Sequence, residues 1–170
     1  MNKSNIVLIG MPAAGKSTVG VVLAKSMRKP FIDTDLLIQQ KHGMYLQDII
    51  DKYGIEKFLE IEEKVLIELK VNNHVIATGG SAIYSNSALN HLKKDSIFIY
   101  LKLRFDELEG RLKDFKSRGI AKEKNKTLVD LYNERVPLYV RHADITIICS
   151  GKSIEDIVYE IIEKVNRYKN

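Results

Sequence analysis

The chain has 170 residues, 45% of them hydrophobic and 29% charged, which is enough for one well-packed domain and short for two. A single cysteine excludes an internal disulfide, four scattered histidines have no metal-ligand spacing, and no stretch approaches the length of a membrane span. The net charge of +5 is interleaved with acids along helices, as in Lys57 to Lys70 and Glu155 to Lys169, and reads as solvated helix face rather than a nucleic-acid surface.

The apolar run Ile6-Val7-Leu8-Ile9 is too short for a signal peptide and reads as a buried strand. A monomeric cytoplasmic protein, with no membrane and no nucleic acid as partner, is the expectation. Gly10, four residues, then Gly15-Lys16-Ser17 match the phosphate-binding pattern G-x-x-x-x-G-K-[ST]. In such a loop the glycines let the backbone aim its N–H groups inward, the lysine reaches the β/γ-phosphates of a nucleotide, and the serine hydroxyl ligates Mg²⁺. Val19, Val22, Leu23 and Met27 follow at helical spacing, so the loop opens onto a helix N-terminus, where the dipole favours anions.

Beyond Pro30, residues Phe31 to Asp35 read as a short strand, with Asp33 and Asp35 on one side of its C-terminal end and a helix from Leu36 to Lys41 after it; the bland alternative is an acidic turn that caps this helix. In open α/β sheets that end faces the ligand crevice. Leu46 to Lys70 reads as helical with a break near Tyr53-Gly54. Phe58, Ile61, Val65 and Leu69 form its apolar face, and Glu60, Glu62, Glu63 and Lys64 its polar one. Val75 to Thr78 is a strand leading into Gly79-Gly80-Ser81, a bare backbone that a ligand can approach closely. A short helix Asn86 to Lys94, a strand Ile97 to Leu101 and a helix Phe105 to Leu112 come next.

Lys113 to Lys126 is polar, short of apolar residues and centred on Arg118-Gly119; in a kinase it is a candidate mobile lid, and otherwise merely a loop. Thr127 and Asp130 open a further helix through Leu131, Arg135 and Leu138, which Pro137 is expected to kink or break. Ile145 to Cys149 form a last strand, with the lone cysteine buried in it. Ile154, Ile157, Val158, Ile161, Ile162 and Val165 give a strongly amphipathic closing helix. Strands alternating with helices imply a parallel sheet covered on both faces, a three-layer α/β/α domain spanning residues 1–170.

Gly10 to Thr18, Asp33-Thr34-Asp35, Thr78-Gly79-Gly80, Arg118, Glu134-Arg135, Pro137-Leu138-Tyr139 and Ala143-Asp144 together resemble the shikimate kinase family over the whole chain. The resemblance implies a P-loop NTPase fold with a five-stranded sheet in the order 2-3-1-4-5, a lid at about 113–126 and an acceptor-binding helical segment at about 36–70. It also implies transfer of the ATP γ-phosphoryl group to the 3-hydroxyl of shikimate. Carried over by position, Ala13, Ala14, Gly15, Lys16, Ser17 and Thr18 would bind ATP, and Ser17 and Asp33 would serve Mg²⁺. Asp35 would hold the accepting hydroxyl as base, Gly79 and Gly80 would meet the acceptor through backbone, Arg135 would grip its carboxylate, and Arg118 would act on ATP from the lid.

Three positions depart from the family pattern. Leu59 follows Phe58 where the family has a carboxylate-clamping arginine, Ser81 replaces a third glycine, and the lid reads Arg118-Gly119-Ile120-Ala121. Glu62, the usual partner of the missing arginine, is present; Arg141 is either a replacement cation for the clamp or an exposed helix-end arginine. A same-fold kinase acting on another small hydroxylated metabolite is therefore the alternative. A nucleotide-binding module without turnover is a third reading, against which the retained Lys16, Ser17, Asp33, Asp35 and Arg118 stand.

Overall fold

The computed structural model describes residues 3–113, 120–122 and 125–169. Five strands, β1 (Asn5–Ile9), β2 (Phe31–Asp33), β3 (Val75–Ala77), β4 (Ser96–Lys102) and β5 (Ile145–Ile148), pair in parallel in the order β2-β3-β1-β4-β5. The expected sheet order is the observed one. β1 lies at the centre in register Ile6↔Val75 with β3 and Ile6↔Ile97 with β4. Its Ile6, Val7 and Leu8 have no solvent exposure. Such continuous apolar runs are what a strand covered on both faces requires.

Seven helices, α1 (Lys16–Met27), α2 (Thr34–His42), α3 (Leu46–Glu68), α4 (Asn86–Lys93), α5 (Phe105–Lys113), α6 (Leu128–His142) and α7 (Ile154–Lys169), alternate with the strands among the described residues. α1 packs on α7, whose Ile157, Val158, Ile161 and Val165 are buried, each such side chain contributing about 1.5–3 kcal/mol. α3 packs on α4, and α4 and α6 lie against β4. Cys149 is buried, and burial pushes its thiol up to about 11, as expected of an inert thiol.

Three local expectations need correction. β2 ends at Asp33, because the Asp33 carboxylate accepts from the N–H groups of Asp35 and Leu36 and starts α2 at Thr34. Asp35 therefore stands in a first helical turn, not on the strand. α6 continues through Pro137 to His142. Its Thr127–Asp130 capping box and the buried Leu131, Arg135 and Tyr139 on either side of the proline outweigh the lost backbone bond. Glu62, assigned to the solvated side of α3, is buried. The break near Gly54 is present, with φ 83 and ψ 166 at that residue.

A second apolar cluster, Ile38, Ile49, Phe58, Val65 and Ala121, joins α2 and α3 away from the main core. Leu59 packs against it. This cluster holds the two helices beside the C-terminal ends of β1, β2 and β3, where the chain passes from β3 over β1 to β4 and a crevice opens.

Candidate active site

A cavity of about 520 Å³ occupies that crevice. One end is the loop from Gly10 to Gly15. Gly10 has φ 150, and a Cβ there would lie 2.9 Å from the Leu101 carbonyl oxygen, so only glycine fits the turn out of β1. Ala13 and Gly15 are left-handed at φ 63 and 96, bending the backbone around the space the loop encloses. Lys16 is buried, its Nζ donating to the Gly10 and Met11 carbonyls at 2.8 Å each. The Ala14 N–H is used inside the loop on Met11 O at 3.1 Å, and Ala14 does not line the cavity, whereas Ala13, Gly15, Lys16, Ser17 and Thr18 do.

Ser17 donates its hydroxyl to Asp33 Oδ2 at 2.6 Å. The other oxygen of Asp33 caps α2, so one carboxylate fixes the helix start and reaches the loop. Two hard oxygen donors beside a phosphate loop, with phosphate oxygens to complete the set, suit Mg²⁺.

The other end is formed by Asp35, Gly79, Gly80 and Arg135, with Leu36, Tyr45, Leu46 and Phe58 as its apolar wall. Gly79 follows β3, and a Cβ on it would lie 2.2 Å from Glu62 Oε1 and 2.7 Å from Asp35 Oδ1. Gly79→Ala is therefore expected to cost about 1–3 kcal/mol of stability, read as a lower urea midpoint; an unchanged midpoint would mean the two carboxyl groups have room to part.

Arg135 is almost fully buried. Its Nε donates to Tyr84 Oη at 3.0 Å, Nη2 donates to the Ala121 carbonyl, and the guanidinium lies over the Tyr84 ring. Tyr84 in turn donates to Glu134 at 2.6 Å, and Lys126 to the same carboxylate at 2.7 Å. That ammonium, with Tyr84, holds the Glu134 carboxyl below its ordinary range. Tyr139 donates to the Gly80 carbonyl at 2.6 Å, which fixes the second glycine, and burial raises its phenol.

The buried charged side chains among the described residues are Lys16, Glu62 and Arg135, all at this cavity or on its floor. Buried charges gathered at one place mark a site rather than a core. Glu62 carries its proton up to about 7, first because of burial and then because Asp35 is close.

Arg118 lies outside the described residues. Arg141 is exposed in the last turn of α6 and is not part of the cavity wall. Arg111 was missed by sequence reasoning: it stands near the end of α5, lines the cavity and donates to the Ala13 carbonyl at 3.3 Å. Only its position just before the polar segment could have pointed to it. A separate groove of about 480 Å³ beside α2 and α3 holds the surface ion pairs Lys41–Glu68 and Lys57–Glu60.

A parallel sheet with a phosphate loop after its central first strand, a serine–aspartate pair beside the loop and a polar acceptor end define a P-loop phosphotransferase. A family model for shikimate kinase matches residues 12–166. The shikimate kinase of Caldanaerobacter subterraneus subsp. tengcongensis is 36% identical over 168 residues, covering 97% of this chain and 98% of its own length. Among solved structures, shikimate kinase from Acinetobacter baumannii in complex with shikimate superposes with a TM-score of 0.90 at 33% identity, covering 98% of this chain and 94% of that one. The Aquifex aeolicus shikimate kinase gives 0.81 at 34% identity, covering 95% and 96%. This chain belongs to the shikimate kinase family.

Proposed function

We propose that this protein transfers the γ-phosphoryl group of ATP to the 3-hydroxyl of shikimate. The observation that carries the reading is the meeting of a phosphate loop, the Ser17–Asp33 pair, Asp35 and the buried Arg135 around one cavity of about 520 Å³. MgATP supplies the phosphoryl group and a divalent charge. Lys16 and the loop amides hold the phosphates, and Ser17 and Asp33 hold the metal. Asp35, at the positive end of α2, orients the accepting hydroxyl and takes its proton. Arg135 binds the acceptor carboxylate, Gly79 and Gly80 offer backbone, and Arg118 and Arg111 serve the phosphates. Chemistry of this kind asks for little beyond positioning and charge.

The reading takes residues 1–170 as one kinase domain, with a lid at about 113–126 and an acceptor segment at about 36–70. It takes the working form to be a cytoplasmic monomer acting on a small molecule. Among the described residues no helix is long and apolar enough to cross a membrane.

ATP consumption across a panel of small hydroxy acids and polyols tests the reading. Shikimate is expected to be the best acceptor, with a raised KM. A polyol or hydroxy acid used at least about tenfold more efficiently would replace it as the substrate.

That second outcome has an observation in its favour. Leu59 packs in the apolar cluster of α2 and α3, which leaves Arg135 as the main cation for an acceptor carboxylate. Leu59→Arg is expected to tighten shikimate by about 1–3 kcal/mol, since it would add a second guanidinium for the acceptor carboxylate. If the true acceptor has no carboxylate there, the same change adds an uncompensated charge and impairs turnover of that acceptor.

A further inference from the structure

Glu62 is an ionisable group without a role in the transfer described above. α3 carries it beneath Gly79, where it is 2% exposed. Oε2 accepts from the Ser81 hydroxyl at 2.6 Å, while Oε1 is shut off from solvent and has no hydrogen-bond partner among the described residues. The space a Gly79 side chain would fill is bordered by that oxygen and by Asp35 Oδ1. The charged groups facing Glu62 are Asp35 from α2, Arg135 from α6 and Lys16 from α1. Among the described residues neither cation forms an ion pair with Glu62: Arg135 donates to Tyr84 and Ala121, and Lys16 to the loop carbonyls.

An ionised carboxylate with one hydrogen bond, an empty oxygen and a second carboxylate for a neighbour is unfavourable, and two carboxyl groups so placed do not both ionise cheaply. A protonated Glu62 gains a donor, and the direction open to Oε1 runs past Gly79 towards Asp35.

We propose that Glu62 acts as a neutral carboxylic acid whose Oε1–H is directed past Gly79 at Asp35, orienting that carboxylate towards the acceptor hydroxyl. Glu62 is then a positioning residue of the phosphoryl transfer, and this rests on the function proposed above. Ionising Glu62 removes the donor and sets a like charge beside Asp35, so kcat falls as pH rises through the raised value of about 7.

The test uses the full chain with MgATP and shikimate. Glu62→Gln keeps the shape, the acceptor for Ser81 and an N–H donor, whereas Glu62→Ala keeps none of them. The glutamine variant is expected to retain at least about tenfold more kcat than the alanine variant, with KM for ATP the same in both. Its kcat should stay level from about pH 6 to pH 9, where the parent declines. Equal losses in the two variants, or a decline shared by parent and glutamine form, would overturn the proposal.

Infrared spectroscopy decides the proton without turnover. The parent at about pH 6 should show the carbonyl band of a buried carboxylic acid that Glu62→Gln lacks and that shifts in Asp35→Asn. No such band would mean that Glu62 is ionised, and a band indifferent to Asp35 that its proton points elsewhere; either result ends the proposal. Failure of the parent to phosphorylate shikimate would count against the proposed acceptor, and the band would still judge Glu62.

Discussion

Lys16→Ala is expected to leave a folded protein that no longer transfers phosphoryl groups, with turnover reduced at least about 10³-fold, roughly 4 kcal/mol of transition-state stabilisation. The reason lies in where the amine sits. Lys16 is 8% exposed, at the first position of α1, inside the bow of the loop and held by two carbonyls of the loop itself. A cation so held is already in place when negative charge builds on a transferring phosphoryl group. Arg111 lines the same cavity but donates to the Ala13 carbonyl at 3.3 Å, not to the carbonyls that hold Lys16. Stability should change little, because Lys16 itself lines the cavity, and water that follows its removal can bond to the Gly10 and Met11 carbonyls the amine leaves. ADP release in a coupled assay, beside a circular dichroism melt, checks both halves. Undiminished turnover in a folded Lys16→Ala protein would remove the loop from the chemistry.

Asp35→Asn carries the second large effect, a fall in kcat of about a hundredfold or more with nucleotide affinity kept within about threefold. The two aspartates divide the work by position. Asp33 bonds to Ser17 at 2.6 Å and caps α2, which sets it with the phosphate loop and, in the proposed function, with the metal. Asp35 lines the cavity one helical position beyond Thr34, beside Gly79 and away from that contact. An amide at Asp35 keeps the shape, still orients a hydroxyl weakly and cannot take its proton. Single-turnover rates and ATP binding measured separately resolve the effect. If Asp35→Asn weakens ATP instead, and Asp33→Asn slows the chemical step, the two roles are reversed.

The loop, the strand before it and the helix after it were legible because their signal is local: Gly10, Gly15, Lys16 and Ser17 act through backbone within a few residues. The closing helix was legible for the same reason, since the spacing of Ile157, Val158, Ile161 and Val165 sets its buried face. The sheet order came from the family resemblance and not from any periodicity. What was misread depended on long-range contacts. Glu62 looks like solvated helix face until Ser81 and Gly79, far along the chain, are brought over it. Pro137 looks like a break until the packing of Arg135 and Tyr139 is seen. Arg111 carries no pattern, and its contact with Ala13 spans most of the chain. The end of β2 was misjudged because Asp33 can serve a strand, a helix cap and the phosphate loop at once.

Under the proposed function, the bond from Arg135 Nη2 to the Ala121 carbonyl gives the acceptor end an occupant of its own. An arriving carboxylate that uses this nitrogen does not meet a bare guanidinium. It displaces a tethered peptide oxygen, and the measured affinity is the difference between two acceptors competing for one donor. The tethered rival is present at the effective concentration its chain allows, held nearby through Lys126 and Glu134. Changes at residues 120–122 or at Lys126 that loosen this internal rival should strengthen acceptor binding without touching the acceptor.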